Sequence, residues 1–331
     1  MQNGFHTLVW TLDPFQKDLS VHLAAVHAIN QIATPLTQVQ PLFVWGGGLP
    51  PGENAARGLR RRLAARGDEI LRKLVSSRLK PRLKGFLVVD RVMPGAAEQA
   101  SHAIQCARRL GADAIVVSRA QTSGLTKLVL GSFAACLLDL SEIPVVLAPL
   151  KARARSPRSR ILFATDFSEA SERALDRIAD LAQPGGHPIT LFHRVEFPRY
   201  FIPELAFAAD LAVAENDGAL LRDARDRISV QAGRLRLRGI AVKTKISSRR
   251  GVTSASEIAR EAGRGYGLLA VAAQRGFLGR LLLGSTTRRL VRLAKIPLWI
   301  DKTPVEIRKK KGRSRVKGAP LPEAVETSYL V

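Results

Sequence analysis

Cysteine is nearly absent. Cys106 and Cys136 are the only two, neither belongs to a Cys-x-x-Cys pair, and both sit in apolar, helix-like runs. That excludes a disulfide scaffold and a thiolate metal centre, and it fits a reduced, cytoplasmic setting. Long apolar runs are missing too: no stretch approaches the roughly 20 residues a membrane span needs. The N-terminal MQNGFHTLVWTLDPF lacks a basic region ahead of its short apolar run, so no signal peptide is expected. Histidine is scarce, with 6 residues. His22 and His27 are five apart and share no helix face, and His193 reads as the half-buried end of a strand. No His, Cys and carboxylate cluster has metal-ligand spacing. A Gly-x-Ser-x-Gly elbow, a Ser/His/Asp arrangement and a G-x4-G-K-[ST] loop are all lacking, so no catalytic set is read. Acid is the last shortage. With 28 Asp+Glu against 52 Lys+Arg the formal net charge is +24, which favours polyanions as partners.

What is present is a repeat. LVLGSFAACLLDLSEIPVVL (Leu128 to Leu147) and LLLGSTTRRLVRLAKIPLWI (Leu281 to Ile300) share an apolar triplet, Gly-Ser, a helical run, Ile-Pro and an apolar strand. Gly131 and Gly284 are 153 apart, and the same offset carries Ile143-Pro144 onto Ile296-Pro297 and Asp13 onto Asp166. One offset at both ends of each half means a duplicated domain rather than a short-period solenoid. At 331 residues the chain has room for two cores, and a hydrophobic fraction of 46% argues against wholesale disorder. Residues 1–150 are read as the first domain, 151–159 as a basic linker, 160–301 as the second domain and 302–331 as a tail.

Each half alternates apolar runs with helical patterns. The first-half strands are expected near His6–Leu12, Val39–Trp45, Gly85–Asp90, Ala114–Ser118 and Ile143–Ala148. A long, basic second helix carries Leu59, Leu63, Ile70, Leu74 and Leu79. In the second half, ILFAT leads to Ser168 as a helix cap, followed by Ala170, Ala174, Ile178 and Leu181 at helical spacing. Strands are expected at Pro188–Val195, IAVKTKI, GLLAVA and Ile296–Ile300, with helices around Leu220–Ile228, over SEIAREA and from Ser285. Continuous apolar strands between helices imply a parallel sheet buried on both faces. The fold class is α/β, with two five-stranded doubly wound domains.

In such sheets, ligands bind beyond the carboxyl ends of the strands. Asp13 and Asp166 end the first strands, the loops Ser118–Leu130 and Val271–Leu283 follow the fourth, and Gly131-Ser132 and Gly284-Ser285 open the fourth helices. A helix N-terminus beside a hydroxyl suits a phosphate, and the Asp could accept from a base or ribose. Gly-Ser is equally a common turn, and an Asp at a strand end often caps its helix. Both readings stay open at this point.

RILFATDFSEASERAL, followed by YGLLAVAAQRGFLGRLLLGSTTRRLVRLAKIPLWI, resembles the universal stress protein family. TLVWTLDPF with GADAIVVSRAQTSGLTKLVLGSFAACLLDLSEIPVVL is similar and more diverged. The resemblance implies a Rossmann-like fold of the adenine-nucleotide α-hydrolase kind. It also implies two halves paired as an intramolecular pseudo-dimer through their fifth strands. ATP-binding members carry G-x2-G-x9-G-[ST] after the fourth strand. Counted back from Gly284-Ser285, Gln274 and Val271 stand where the leading glycines belong; before Gly131-Ser132, Gln121 and Ser118 do. The Gly-Ser survives twice and the glycine pair is lost twice. Glycines there let backbone approach sugar and phosphate, and a Val side chain would intrude. Gly124, Gly276 and Gly279, with Lys127, Arg275 and Arg280 nearby, are out of the family's register.

The resemblance therefore implies a non-catalytic regulatory module of the stress response with degenerate nucleotide loops. The alternative is an ATP or AMP sensor, even a slow ATPase, with Asp13 or Asp166 on the nucleoside, Gly-Ser on the phosphates and magnesium alongside. A further alternative lies in charge. The linker KARARSPRSR holds five Arg/Lys, Arg57–Lys84 holds eleven, and the tail VEIRKKKGRSRVKGAPLPEAVETSYLV has no helical or strand periodicity. These suit nucleic acid or another polyanion, without interleaved aromatics for base stacking. Protein partners would dock on the fifth-strand interface or the surface, further homo-oligomers are open, and no membrane contact is expected.

Overall fold

A computed structural model describes residues 6–47, 50–75, 81–90, 95–119, 130–149, 160–197, 206–273 and 284–302. Its first half runs β1 (Thr7–Thr11), α1 (Leu19–Ile32), β2 (Gln38–Trp45), α2 (Glu53–Val75), β3 (Arg82–Leu83), β4 (Leu87–Asp90), α3 (Ala96–Arg109), β5 (Ala114–Ser118), α4 (Ser132–Leu140) and β6 (Val145–Ala148). The second half follows with β7 (Arg160–Ala164), α5 (Glu169–Gly185), β8 (Ile189–Arg194), α6 (Ala206–Leu237), β9 (Val242–Ser247), α7 (Ser254–Ala262), β10 (Tyr266–Ala273), α8 (Ser285–Leu293) and β11 (Leu298–Lys302). Among the described residues no helix is long and apolar enough to cross a membrane.

All eleven described strands belong to one sheet, ordered β3-β2-β1-β5-β6-β11-β10-β7-β8-β9, with β4 beside β2. Pairing is parallel within each half. At the centre β6 and β11 are antiparallel, with Leu147, Val146 and Val145 opposite Leu298, Trp299 and Ile300. All six are 0% exposed. The apolar fifth strands thus cover each other's edges, which removes two sticky edges from solvent. Both core layers continue across this junction: one holds α1, α2, α5 and α6, with Val146 and Trp299 in it, and the other holds α3, α4, α7 and α8.

Two details depart from the sequence reading. The third strand of the first half is split into β3 and β4 rather than running from Gly85. Lys84 N–H donates to Val39 O at 2.9 Å, so the next backbone donor required on β2 is Pro41, which has none. The Gln40 amide bridges the gap, donating to Gly85 O at 2.7 Å and Pro41 O at 3.0 Å. The second is α2, which ends at Val75; Leu79 lies outside the described residues, as do the linker and the tail from 303.

Helix α5 begins at Ser168, whose Oγ accepts from Ser171 N–H at 3.2 Å, and stops at Gly186 in the left-handed region, φ 61°. Nothing lies within 4 Å of a Cβ added there, so Gly186→Ala meets only the backbone penalty. We expect a loss of about 1 kcal/mol, read as a lowered urea midpoint.

Candidate functional site

Because β6 and β11 are antiparallel, the carboxyl ends of the two parallel sets face opposite edges of the sheet. The molecule has two separate candidate sites, one per half. Asp13 and Asp166 end β1 and β7 as read from sequence, and both are exposed. Each spends one carboxylate oxygen on its own turn. Asp13 Oδ1 accepts from Phe15 N–H at 2.8 Å, and Asp166 Oδ1 accepts from Ser168 N–H at 3.0 Å and Ser168 Oγ at 2.6 Å.

An arginine from the second helix clamps each turn. Arg66 Nε donates to Pro14 O at 2.7 Å and its guanidinium lies 5.3 Å from the Phe15 ring centre. Arg227 repeats this with Phe167 O at 3.3 Å and the Phe167 ring at 4.8 Å. Phe167 takes φ 59°, a left-handed conformation costly for a side chain of its size. The strain is held by three contacts. Arg227 covers the ring, Thr165 Oγ1 accepts from Phe167 N–H at 3.1 Å, and the His193 ring stacks at 4.3 Å.

Histidine supports the first loop in both halves. His193 Nδ1 lies 2.9 Å from Thr165 O, and His22 Nε2 lies 3.4 Å from Gln16 O. A carbonyl can only accept, so each of these nitrogens donates. Burial pushes both rings below their ordinary pKa of 6.5, only partly offset by those carbonyls. The unfolded chain therefore binds these protons first as pH falls. Their contribution to stability is present above 6.5 and is lost as pH falls through that value toward the folded-state pKa. Urea midpoints measured between about pH 8 and 5 should decline, and a His22→Gln/His193→Gln double variant should decline less.

The fourth helices begin as expected, α4 at Ser132 after Gly131 and α8 at Ser285 after Gly284. Neither has a side-chain cap bond. Gln121 and Gln274 lie outside the described residues. Val271 is 5% exposed and packs in the layer with Ile258, Leu290 and Val291. Its side chain is core rather than cradle.

The 153 offset does not hold through the fourth strand. Leu8 pairs with Ala114, but Ile161, its equivalent, pairs with Leu268. A register shift between Tyr266 and Leu268 absorbs one extra residue. In the sheet Ser118 therefore matches Ala272, and Val271 matches Val117. Ser118 instead faces α1, where its Oγ donates to Val21 O at 3.2 Å.

In the second half, the end of β8, the start of α7 and the start of α8 enclose a cleft of about 270 Å³. Arg194, Glu196, Ser254, Ser285, Thr286 and Arg289 line it. Arg194 dominates this cleft: its side chain is 12% exposed. It donates to Val252 O at 2.6 Å, Arg249 O at 3.2 Å and Ser254 Oγ at 3.2 Å, and lies 3.4 Å from Glu196. Ser254 Oγ in turn donates to Glu196. The cleft is thus crosslinked by the chain itself and is smaller than the roughly 300–1,000 Å³ usual for ligand pockets. Sequence reasoning passed over Arg194, although a cation ending the apolar run ITLFHR was a visible signal. Among the described residues no group of three or more His, Cys, Asp or Glu could hold a metal ion.

The sequence model of the universal stress protein family matches residues 157–302. A universal stress protein from Archaeoglobus fulgidus superimposes over 91% of this chain and 99% of its own, at TM-score 0.58 and 19% identity. A functionally unknown protein from Pseudomonas aeruginosa does so over 91% and 94%, at 0.53 and 14%. A universal stress protein from Archaeoglobus fulgidus, solved in complex with dAMP, covers 43% of this chain at TM-score 0.32 and 18% identity. No curated protein matches the chain.

Proposed function

From a chain whose residues 157–302 match the sequence model of the universal stress protein family, and whose two halves share one sheet, we propose a regulatory module without turnover. The observation that carries this reading is the Arg194 network. It occupies the second-half cleft with the chain's own carbonyls, hydroxyl and carboxylate. Both aspartates are engaged in their turns. The reading favours recognition through shape over use of ATP. Rapid denaturation of freshly purified protein, followed by chromatography of the supernatant, tests it. We expect far less than one nucleotide per chain; stoichiometric ATP or AMP would establish the sensor reading instead.

The face of α2 favours a second reading. Arg57, Arg61, Arg62, Arg66 and Arg72 are all exposed, and a groove beside them is lined by Phe15, Leu59 and Leu63. Such a face attracts nucleic acid by releasing counterions. Binding to a DNA duplex should weaken by roughly tenfold or more between 50 and 200 mM salt. Arg61→Glu/Arg62→Glu should weaken it further. An affinity indifferent to salt would remove this reading.

A further inference from the structure

Phe15 is 44% exposed, yet it belongs to a cluster of three aromatic rings. Its ring centre lies 5.9 Å from that of Phe43 and 5.8 Å from that of Trp45, and those two are 6.3 Å apart. The tilted and edge-on contacts hold Phe15 in place. Main chain closes against the Trp45 ring, where a Cβ added at Gly47 would fall 2.3 Å away. Phe15 is therefore a backed, outward-facing ring, with Arg66 of α2 at 5.3 Å from its centre.

The ring opens onto a groove of about 580 Å³ along α2, lined by Leu59 and Leu63 together with Arg62, Arg66 and Arg72. Between Leu59 and Arg72 the helix rises about 20 Å, so apolar surface and cations run side by side for that length. Glu69, the acid in this lining, is paired with Lys73 at 2.6 Å. Among the described residues neither Arg62 nor Arg72 forms an ion pair, whereas Arg57 on the same helix is held by Glu53.

The second half provides an internal contrast. There the acids of α5 take up the arginines of α6: Arg234 pairs with Glu172 and Asp176, and Arg238 with Asp180. At the 153 offset, α1 carries Leu19, Leu23 and His27 in place of those three acids. Phe167, the counterpart of Phe15, is half-buried and is held by both His193 and Arg227. The second-half helix pair is thus neutralised and its ring covered, while the first-half pair keeps its charge and its open ring.

Resting on the polyanion reading of this face, we infer that the α2 groove takes single-stranded nucleic acid. An unstacked base lies against Phe15, and the flanking phosphates meet Arg62, Arg66 and Arg72. A single strand offers a flat π face and a regular row of anions, which are the two features this groove can receive. A base paired in a duplex presents only its edge, so it cannot reach the ring face. An acidic peptide meets the cations but brings no base to stack. Residues 57–84 contain no aromatic side chain, and the fold supplies one from the turn after β1.

The test is fluorescence anisotropy of the full chain with three labelled probes of equal length at one salt concentration. They are a twenty-nucleotide deoxythymidine strand, the same sugar-phosphate chain without bases, and a DNA duplex. The thymidine strand should bind roughly tenfold tighter than the abasic chain, and at least as tightly as the duplex despite half its charge. Phe15→Leu should cost the thymidine strand about tenfold and leave the other two probes unchanged, and Phe15→Trp should restore the difference. Arg62→Glu/Arg72→Glu should weaken all three. Millimolar AMP should leave the complex intact, because one phosphate engages only part of the row. Equal affinity for thymidine and abasic strands, or a Phe15→Leu variant that binds as wild type, would overturn the inference while leaving the charge-driven reading in place. Displacement by AMP, or by polyglutamate as readily as by unlabelled thymidine strand, would overturn it as well. Failure of all three probes to bind would remove both readings.

Discussion

Val146→Asp should abolish the folded state of the whole chain, not of its first half alone. Val146 is 0% exposed and sits opposite Trp299 at the middle of the antiparallel junction, in a core layer that continues across both halves. An Asp there places a carboxylate among buried apolar side chains, in addition to the lost methyl packing. The expected cost is about 5 kcal/mol or more, comparable with the 5–15 kcal/mol that keeps a domain folded. Val146→Ala removes only the packing and should cost about 2 kcal/mol. Far-UV circular dichroism and tryptophan fluorescence through a urea titration separate the outcomes. If Val146→Asp kept half of the helical signal and a cooperative transition, the halves would be independent and the shared sheet would not matter to stability.

Arg194→Ala should be the next most damaging change. Its guanidinium ties the end of β8 to the carbonyls of Arg249 and Val252 and to Ser254 at the start of α7. Removing it leaves partly buried acceptors unpaired and takes the cation from Glu196. Glu196 is 72% exposed, so its share is small. The carbonyls dominate, and we expect a loss of about 2–3 kcal/mol. That should appear as a fall of several degrees in melting temperature. Hydrogen exchange should quicken over residues 249–254 before it changes in β10 or β11. Arg194→Lys should recover little, because one ammonium cannot satisfy acceptors spread around a planar fork. A full rescue by lysine would mean that charge alone, not the crosslink, holds this loop.

The paired fold was legible in the sequence because duplication leaves its mark in spacing. Gly131 and Gly284, Ile143-Pro144 and Ile296-Pro297, and Asp13 and Asp166 all recur at one offset, and the apolar fifth strands called for a partner that each supplies to the other. The split between β3 and β4 was not legible. It arises from the missing N–H of Pro41 on a neighbouring strand, a non-local pairing that no window of residues contains. The shifted register of β10 was hidden for the same reason, since one constant offset assumes that no residue is absorbed in a bulge. At the sites, sequence identified the aspartates and the Gly-Ser turns by type. Arg66, Arg194 and Arg227 were lost among 52 basic residues. Only burial and partners distinguish a crosslinking arginine from a solvated one.

The most direct test of the closed second-half cleft is a calorimetric titration of the full chain with MgATP, in buffer that already contains saturating inorganic phosphate. Phosphate competes for any site that holds a phosphoryl group alone, so any remaining heat reports recognition of the nucleotide itself. The account predicts no saturable heat up to about 1 mM, an affinity weaker than about −4 kcal/mol. A one-site isotherm in the micromolar range, lost in Ser285→Ala, would contradict it.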